Sequence, residues 1–285
     1  MSSKSNRYVI IALIAIIYLL AMATFFEDEA QSNFWLTVSV ALTISILAPL
    51  IAWFIDGLLQ NIKRFRLWFL TKIWHRRSLI RFSMSYIYRI RVSDKYLLVK
   101  NSKWNFYQPV GGVYKVLPGE MSRLQEKYNV ELDKKLPTNG EKRDDLRLMV
   151  PASKALEFLD WFDSGKGREI SHWREFCEEL VRNEVLEFKV FPHVNYRYAG
   201  YVQTPLKKSE KLGCLEILKY EVYDLLPSNE QEMALIELLK KGDTDYIKWA
   251  DEIIINNLGF SQVDRNEPYD IGAHTKWTMN MKYSK

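Results

Sequence analysis

Two long uncharged segments near the amino terminus constrain this chain more than any other feature. The first runs from Tyr8 to Phe26 and the second from Phe34 to Ile55. At a rise of about 1.5 Å per helical residue, both can cross the roughly 30 Å hydrocarbon core of a bilayer. The first is long for the apolar region of a cleavable signal peptide, and a second spanning segment follows at once. We therefore predict that residues 1–57 form a two-helix transmembrane anchor.

The distribution of charge predicts the orientation of this anchor. The connection Glu27–Asn33 holds three acids and no Lys or Arg, whereas residues 56–91 hold nine Lys or Arg against a single acid, Asp56. Because Lys and Arg are retained on the cytoplasmic side, we expect a two-pass protein with both termini in the cytoplasm. The chain's net charge of +5 thus reflects a juxtamembrane patch and does not indicate general nucleic-acid binding.

Residues 58–84 are predicted to form a basic juxtamembrane helix or linker. Aromatic and aliphatic side chains alternate there with Lys and Arg. The segment could lie on the anionic inner leaflet or extend the second helix, either of which would suit a lipid-sensing or force-transmitting neck. An ordinary stop-transfer flank is the other interpretation.

The remaining residues, 85–285, are enough for one well-cored cytoplasmic domain. Turn signals and alternating patterns predict strands interspersed with helices without regular βαβ repetition, so we expect an α+β fold. The polar stretch at about 116–145, which contains the Asn139-Gly140 turn signal, is predicted to be an insertion or a lid. Cys177 and Cys214 are too few for a disulfide framework, which favours a reducing compartment.

A predicted helix from about Ser171 to Arg182 carries a cluster of three glutamates. Positions i, i+3 and i+4 place Glu175, Glu178 and Glu179 on one helical face, opposite a narrow apolar stripe. Like charges at this spacing repel, and Mg²⁺ or Mn²⁺ would remove the conflict because both prefer oxygen ligands. A solvated acidic helix face is the alternative interpretation.

The residues around this cluster resemble a known motif. Arg174–Glu179 (REFCEE) resembles the core of the Nudix box, and Pro109–Gly112 (PVGG) is similar to the strand end that introduces it. The resemblance implies a Nudix-like α/β/α sandwich, with Glu175, Glu178 and Glu179 as catalytic metal ligands and Arg174 as a structural brace. The chain departs from the box at Asp160, Lys166 and Val181, so the motif supports the fold more strongly than it supports hydrolysis.

Four separated segments, behind the two transmembrane segments, give a closer resemblance. They are FYQPVGGVYK at Phe106–Lys115, WFDSGKGREISHWREFCEEL at Trp161–Leu180, FPHVNYRYAG at Phe191–Gly200 and IGAHTKW at Ile271–Trp277. Together they resemble the SMODS-associated Nudix family, whose members with two transmembrane helices are effectors of bacterial CBASS anti-phage systems. The resemblance implies a cyclic oligonucleotide signal, made by a synthase of the CD-NTase class encoded nearby, and a place in the bacterial inner membrane.

Six further residues are candidates for ligand binding. Gly111 and Gly112 could let backbone N–H groups approach a phosphate, or could form a simple bulge. Arg147 and Arg197 are candidates for phosphate recognition. His172 and His274 could donate to phosphate, although a histidine beside a tryptophan is also a common structural feature.

Three functional hypotheses follow. The first is an effector that assembles as a homo-oligomer when its domain binds the signal, and whose helices then disrupt the inner membrane among its lipids. The second is a Mg²⁺- or Mn²⁺-dependent hydrolase of a nucleoside diphosphate-linked metabolite. The third is a scaffold whose Nudix-like fold binds only protein.

Overall fold

The computed structural model describes residues 61–133, 135, 144–261 and 268–283, together with the single positions Val38 and Leu47. The chain divides into two compact units, Met1–Trp68 and Phe69–Lys285. In the first unit, residues 61–68 are helical. The two predicted transmembrane segments lie outside the described residues except at Val38 and Leu47. Within the described positions, no helix combines the length and the apolar character needed to cross a membrane.

The second unit mixes strands with short helices, which confirms the α+β prediction. It begins with a π-helical turn at Leu70–Trp74. Its strands are β1 Leu79–Arg89, β2 Arg91–Val92, β3 Lys95–Lys100, β4 Tyr107–Pro109, β5 Gly111–Val113, β6 Glu131–Leu132, β7 Arg147–Pro151, β8 Asn195–Gln203, β9 Lys207–Lys208, β10 Leu215–Leu226 and β11 Ile247–Asp251. Its helices are α1 Glu120–Tyr128, α2 Ala155–Asp163, α3 Trp173–Phe176, α4 Asn229–Lys241, α5 Glu252–Asn256 and α6 Ala273–Met279.

Strand β1 is the centre of the larger sheet. It pairs in parallel with β10, from Ile80 opposite Leu215 to Arg89 opposite Asp224. Its other edge pairs with two antiparallel partners in turn, first β7 and then β5. Nine successive residues after Leu79 are buried, as expected for a strand covered on both faces. Among the described residues the sheet runs β6-β7-β1-β10-β8, with β5 beside β1 and β9 beside β10.

A smaller sheet packs its own apolar cluster. Within the described residues it has the order β11-β3-β2, and β4 pairs with β3. Buried side chains from its strands, from α5 and from the segment before α6 form the cluster, and they are Tyr96, Leu98, Tyr107, Ala250, Ile255 and Ile271. The smaller sheet thereby fixes the position of β4, which leads directly into the Gly111-Gly112 segment.

Strand β1 begins six residues before the predicted domain start at residue 85, so the predicted linker 58–84 extends too far. The error comes from Arg81, which the sequence places in the basic juxtamembrane patch. In the structure Arg81 is buried, and its Nε donates to Asp133 Oδ2 at 2.7 Å while its Nη1 lies 3.4 Å from Glu216 Oε2. Two buried carboxylates thus compensate the charge of a residue in the central strand.

The stretch predicted as an insertion or lid at about 116–145 is partly built into the domain. It contains α1, and it contains β6, which joins the larger sheet by pairing with β7. Asn139 and Gly140 lie outside the described residues.

Candidate functional site

The second unit holds a cavity of about 800 Å³ on one face of the larger sheet. Alternate residues of the two central strands line it, namely Arg81, Ser83, Ser85, Ile87, Glu216, Leu218 and Tyr220, and Tyr86 of β1 lines it as well. Because successive side chains of a strand point to opposite faces, this alternation defines the cavity floor. The Gly111-Gly112 segment, α3 and the start of α6 supply further lining residues.

One wall of the cavity is formed by glutamates packed on glycines. The backbone N–H of Gly111 donates to Glu179 Oε2 at 2.9 Å. A Cβ placed on Gly112 would lie 2.0 Å from Glu175 Oε1, so a larger residue there would displace that carboxylate. All three predicted glutamates, Glu175, Glu178 and Glu179, line the cavity together with both glycines.

The helix that carries the glutamates differs from the predicted one. Regular α-helix covers only Trp173–Phe176 and continues as a π-helical turn at Cys177–Val181. Phe176 and Leu180 of the predicted apolar stripe are fully buried. π-helical turns inside helices are frequent at functional sites, because the extra residue changes the direction of the side chains that follow.

Arg174 braces this wall from within, as the motif implies. Its guanidinium donates to both oxygens of Glu169 at 3.1 Å and to the Val113 carbonyl oxygen at 2.9 Å. It also donates to Glu175 Oε1 and lies 3.6 Å from Glu178 Oε2. The motif expects a glutamate where this chain has Lys166. Glu169 supplies the acid partner of Arg174 instead.

The protonation of the wall follows from its burial. Burial, together with the nearby Glu175 and Glu178, raises the pKa of Glu179 to about 8 against the opposing Gly111 hydrogen bond. Burial also raises the pKa of Glu175, which the Arg174 guanidinium opposes. Glu179 is consequently mostly protonated at neutral pH, and the wall carries less negative charge than its three carboxyls imply.

The carboxyl oxygens have the chemistry that Mg²⁺ and Mn²⁺ prefer. In the part of the chain that the structure describes, no three His, Cys, Asp or Glu side chains are grouped as metal ligands. Glu175 and Glu178 instead face the guanidinium of Arg174, which already supplies a positive charge to the wall.

The rest of the cavity lining includes many basic and aromatic side chains, together with Asp145, Glu216 and neutral polar residues. Five cations line it besides Arg81 and Arg174, and they are Lys103, Lys115, Arg147, Arg182 and Lys211. Lys211 Nζ lies 4.8 Å from the centre of the Trp104 ring, and the His274 ring stacks on Tyr220 at 5.4 Å with an interplanar angle of 9°. Arg147 and His274, two of the residues predicted to bind a ligand, both line the cavity.

His172 and Arg197, two of the residues predicted to bind a ligand, are not among the residues that line the cavity. His172 is buried in the core, where its Nε2 lies 2.7 Å from the Tyr114 hydroxyl, and burial lowers its pKa to about 4. The Arg197 side chain is largely exposed on β8 and pairs with Asp224 at 3.1 Å.

Sequence analysis missed several lining residues, among them Trp104, Lys211 and Tyr220. The alternation along β10 assigns Glu216, Leu218 and Tyr220 to one face, so this pattern could have identified Tyr220 as a lining residue. Nothing in the sequence places Trp104 and Lys211 together, because more than a hundred residues separate them.

In a domain with a mixed sheet, two glycines at a strand end pack against an Arg-Glu-x-x-Glu-Glu segment. This arrangement is expected of a Nudix-type domain. The model of the SMODS-associated NUDIX domain family matches residues 79–279, which is more than half of the 285-residue chain. The chain therefore belongs to the SMODS-associated NUDIX domain family, as its sequence motifs predict. The match begins after the predicted anchor.

Comparison with solved structures finds the crystal structure of a hydrolase of the NUDIX family from Clostridium perfringens. It shares 13% sequence identity, and the alignment covers 70% of this chain and 97% of that chain with a TM-score of 0.20. That TM-score is too low to establish a shared fold. Comparison with curated proteins finds no match.

Proposed function

We propose that this protein is a membrane-anchored effector of a CBASS anti-phage system, and that its cavity binds a cyclic oligonucleotide. Membership of the SMODS-associated family implies a link to systems in which a CD-NTase makes such a signal. The observation that carries the proposal is the cavity of about 800 Å³, in which seven Lys and Arg side chains and several aromatic rings lie beside the acidic wall.

The lining suits a ligand with phosphates and bases. Arginine and lysine side chains form charge-assisted hydrogen bonds with phosphate oxygens, and aromatic rings stack on bases of any sequence. Arg147 lies on β7 beside Asp145, at 3.4 Å, and lines the cavity from the sheet. Trp104 and Tyr220 provide flat apolar surfaces in the same space.

Anchoring and assembly complete the proposal. Residues 1–57 would cross the bacterial inner membrane twice with both termini in the cytoplasm, as their length and flanking charges favour. Ligand binding would favour a homo-oligomer that brings the anchors together among the lipids and permeabilises the membrane. A ligand can do this only by binding the assembled state more tightly than the resting state.

The test measures binding and killing separately. We expect cyclic di-AMP, cyclic di-GMP, cyclic GMP-AMP or cyclic tri-AMP to raise the melting temperature and the apparent mass of the detergent-solubilised protein. Arg147→Gln should weaken that binding about tenfold, whereas Arg197→Gln, outside the cavity, should leave it unchanged. Deleting residues 1–57 should abolish killing of phage-infected cells and preserve binding.

Two results would contradict this proposal. One is equal binding by the Arg147→Gln and Arg197→Gln variants, which would place the ligand elsewhere. The other is a toxic chain lacking residues 1–57, which would make the anchor dispensable.

A second candidate function is favoured by the acidic wall alone. Glu175, Glu178 and Glu179 would then hold Mg²⁺ or Mn²⁺, which polarises phosphate and activates water when bound. In that case Glu178→Gln with Glu179→Gln should abolish both Mn²⁺ binding and nucleotide hydrolysis, and Glu187→Gln, an exposed control, should change neither. The receptor is preferred because Arg174 already pairs with two of the three carboxyls.

A further inference from the structure

A second hollow of about 500 Å³ adjoins the cavity. The two spaces share five lining residues, and these are Phe106, Lys211, Leu218, Tyr220 and His274. Since the same side chains border both, a ligand held in the cavity can extend a group into the hollow.

Four planar side chains line this hollow, and we refer to them together as the aromatic slot: Phe106, Tyr220, His274 and Trp277. The Phe106 and His274 ring centres are 6.0 Å apart, in addition to the parallel stack of His274 on Tyr220. A Cβ on Gly272 would come within 2.8 Å of both Phe106 and His274, so the glycine allows these rings their position.

The slot is chemically suited to a flat, uncharged group. Burial lowers the pKa of His274 to about 4, so its ring is neutral at cytoplasmic pH. Leu218, Leu258 and Ile271 add aliphatic surface. A nucleobase offers the matching planar face, and base–aromatic stacking contributes about 1–3 kcal/mol per base.

Among the described residues, two charged side chains line the hollow that holds the aromatic slot. Lys211 also lines the cavity, whereas Asp270, which is exposed, lines only the hollow. An ionised carboxylate only accepts hydrogen bonds, so it discriminates between base edges. Guanine presents two adjacent donors, N1–H and the N2 amino group, whereas adenine presents its N6 amino group next to the acceptor N1.

We propose that the aromatic slot receives one purine base of the nucleotide held in the cavity, and that Asp270 reads its edge and favours guanine. This inference rests on the proposed nucleotide-binding function and specifies its ligand. Phosphates would lie in the cavity, on the far side of Lys211 from the base.

The experiment titrates the full chain in detergent with GMP, AMP and ribose 5-phosphate by calorimetry. We expect GMP to bind about tenfold more tightly than AMP, in line with a good bidentate contact, and ribose 5-phosphate to bind most weakly. Asp270→Asn should reduce the GMP preference over AMP to less than about threefold. Phe106→Leu should weaken GMP and AMP by a similar factor, and Phe188→Leu, an exposed phenylalanine outside the slot, should weaken neither.

Each part of the inference can be overturned. If Asp270→Asn keeps the preference for GMP over AMP, Asp270 does not read the base edge. If Phe106→Leu keeps the affinity for GMP, the base does not bind in the slot. Failure of GMP to bind at millimolar concentration also removes the inference. If cyclic di-GMP binds equally well to wild type and both variants, the slot assignment fails while the receptor proposal stands. If GMP binds through the slot and none of the cyclic oligonucleotides binds, the receptor proposal fails instead.

Discussion

Gly111 and Gly112 are neighbours, yet each is required for a different physical reason. Gly111 has a φ of +154°, and a Cβ there would lie 2.2 Å from the Tyr86 carbonyl oxygen, which is backbone of the central strand. Gly112 instead faces the end of the Glu175 side chain. The first glycine therefore permits the pairing of β5 with β1, and the second makes room for a carboxylate of the site.

Alanine substitutions should separate these two roles. We expect Gly111→Ala to cost more than about 3 kcal/mol, since backbone must shift or strain. Gly112→Ala should cost about 1 kcal/mol, because the Glu175 side chain can rotate away, but it should alter the acidic wall. Chemical unfolding followed by tryptophan fluorescence measures both, and an equal loss in the two variants would contradict the assignment.

A buried histidine predicts a pH dependence of stability. The pKa of His172 is about 4 in the folded chain, lowered first by burial and then by nearby Arg168, against about 6.5 when unfolded. Below pH 6.5 the unfolded chain therefore binds more protons, and folding stability falls until about pH 4. At pH 5 the loss is about 2 kcal/mol.

The variant His172→Phe tests this assignment. It removes the titrating group and keeps a ring beside Tyr86 and Tyr223, so its free energy of unfolding should change less between pH 7 and pH 5. Identical pH profiles for wild type and variant would show that other groups, such as His274, carry the acid sensitivity.

At the scale of elements, Arg174 ties together the pieces of the acidic wall. It connects the segment at Glu169, the end of β5 at Val113 and its own helix α3. The arginine fork is suited to this task because its donors are arranged in a fixed plane. Lysine would keep the charge and lose most of these contacts.

A double-mutant cycle measures this connection. We expect Arg174→Gln and Glu169→Gln each to lower stability, and the double variant to lose less than their sum, with a coupling of about 1–2 kcal/mol. Both side chains are largely shielded from solvent, so the pair should contribute more than an exposed one. Additive losses would show that the two residues act independently.

Sequence patterns predicted some elements well and others poorly, for identifiable reasons. Alternating patterns predicted strands, and two strands with such a pattern, β8 and β10, pair side by side in the structure. The start of β1 was missed although Ile80, Phe82 and Met84 alternate with polar residues, because Arg81 looked like part of a basic flank. The π-helical turn at Cys177–Val181 was also missed, since helical periodicity assumes a regular turn.

The residues of the site also divide into those that local sequence motifs identified and those that they did not. The Arg174–Glu179 segment and the two glycines form local motifs, so the sequence brought them together correctly. The basic and aromatic lining comes from β7, β10, α6, the loop before β4 and segments that follow β5, follow the π-helical turn and precede β10. Only the strand pairing places these elements side by side, so no local pattern contained that information.

At the scale of the whole molecule, the predicted topology has a direct test. We expect the chain to fractionate with the inner membrane, and protease added outside intact spheroplasts to leave the domain at 85–285 whole. The reason is the excess of Lys and Arg after the second apolar segment against none in Glu27–Asn33. Degradation of that domain from the periplasmic side, with lysed spheroplasts as the positive control, would overturn the topology.

The parallel pairing of β1 with β10 has a consequence for how the chain is made. Arg81 and its partner Glu216 are separated by 135 positions, so β1 leaves the ribosome long before β10 exists. A nascent chain ending at Gly213 should stay protease-sensitive, whereas one extending past Met279 should become resistant once released. At about 5–20 residues per second, β1 then waits for many seconds before its main partner arrives. During synthesis, therefore, the edge of β1 that later pairs with β10 is open to pairing with other chains.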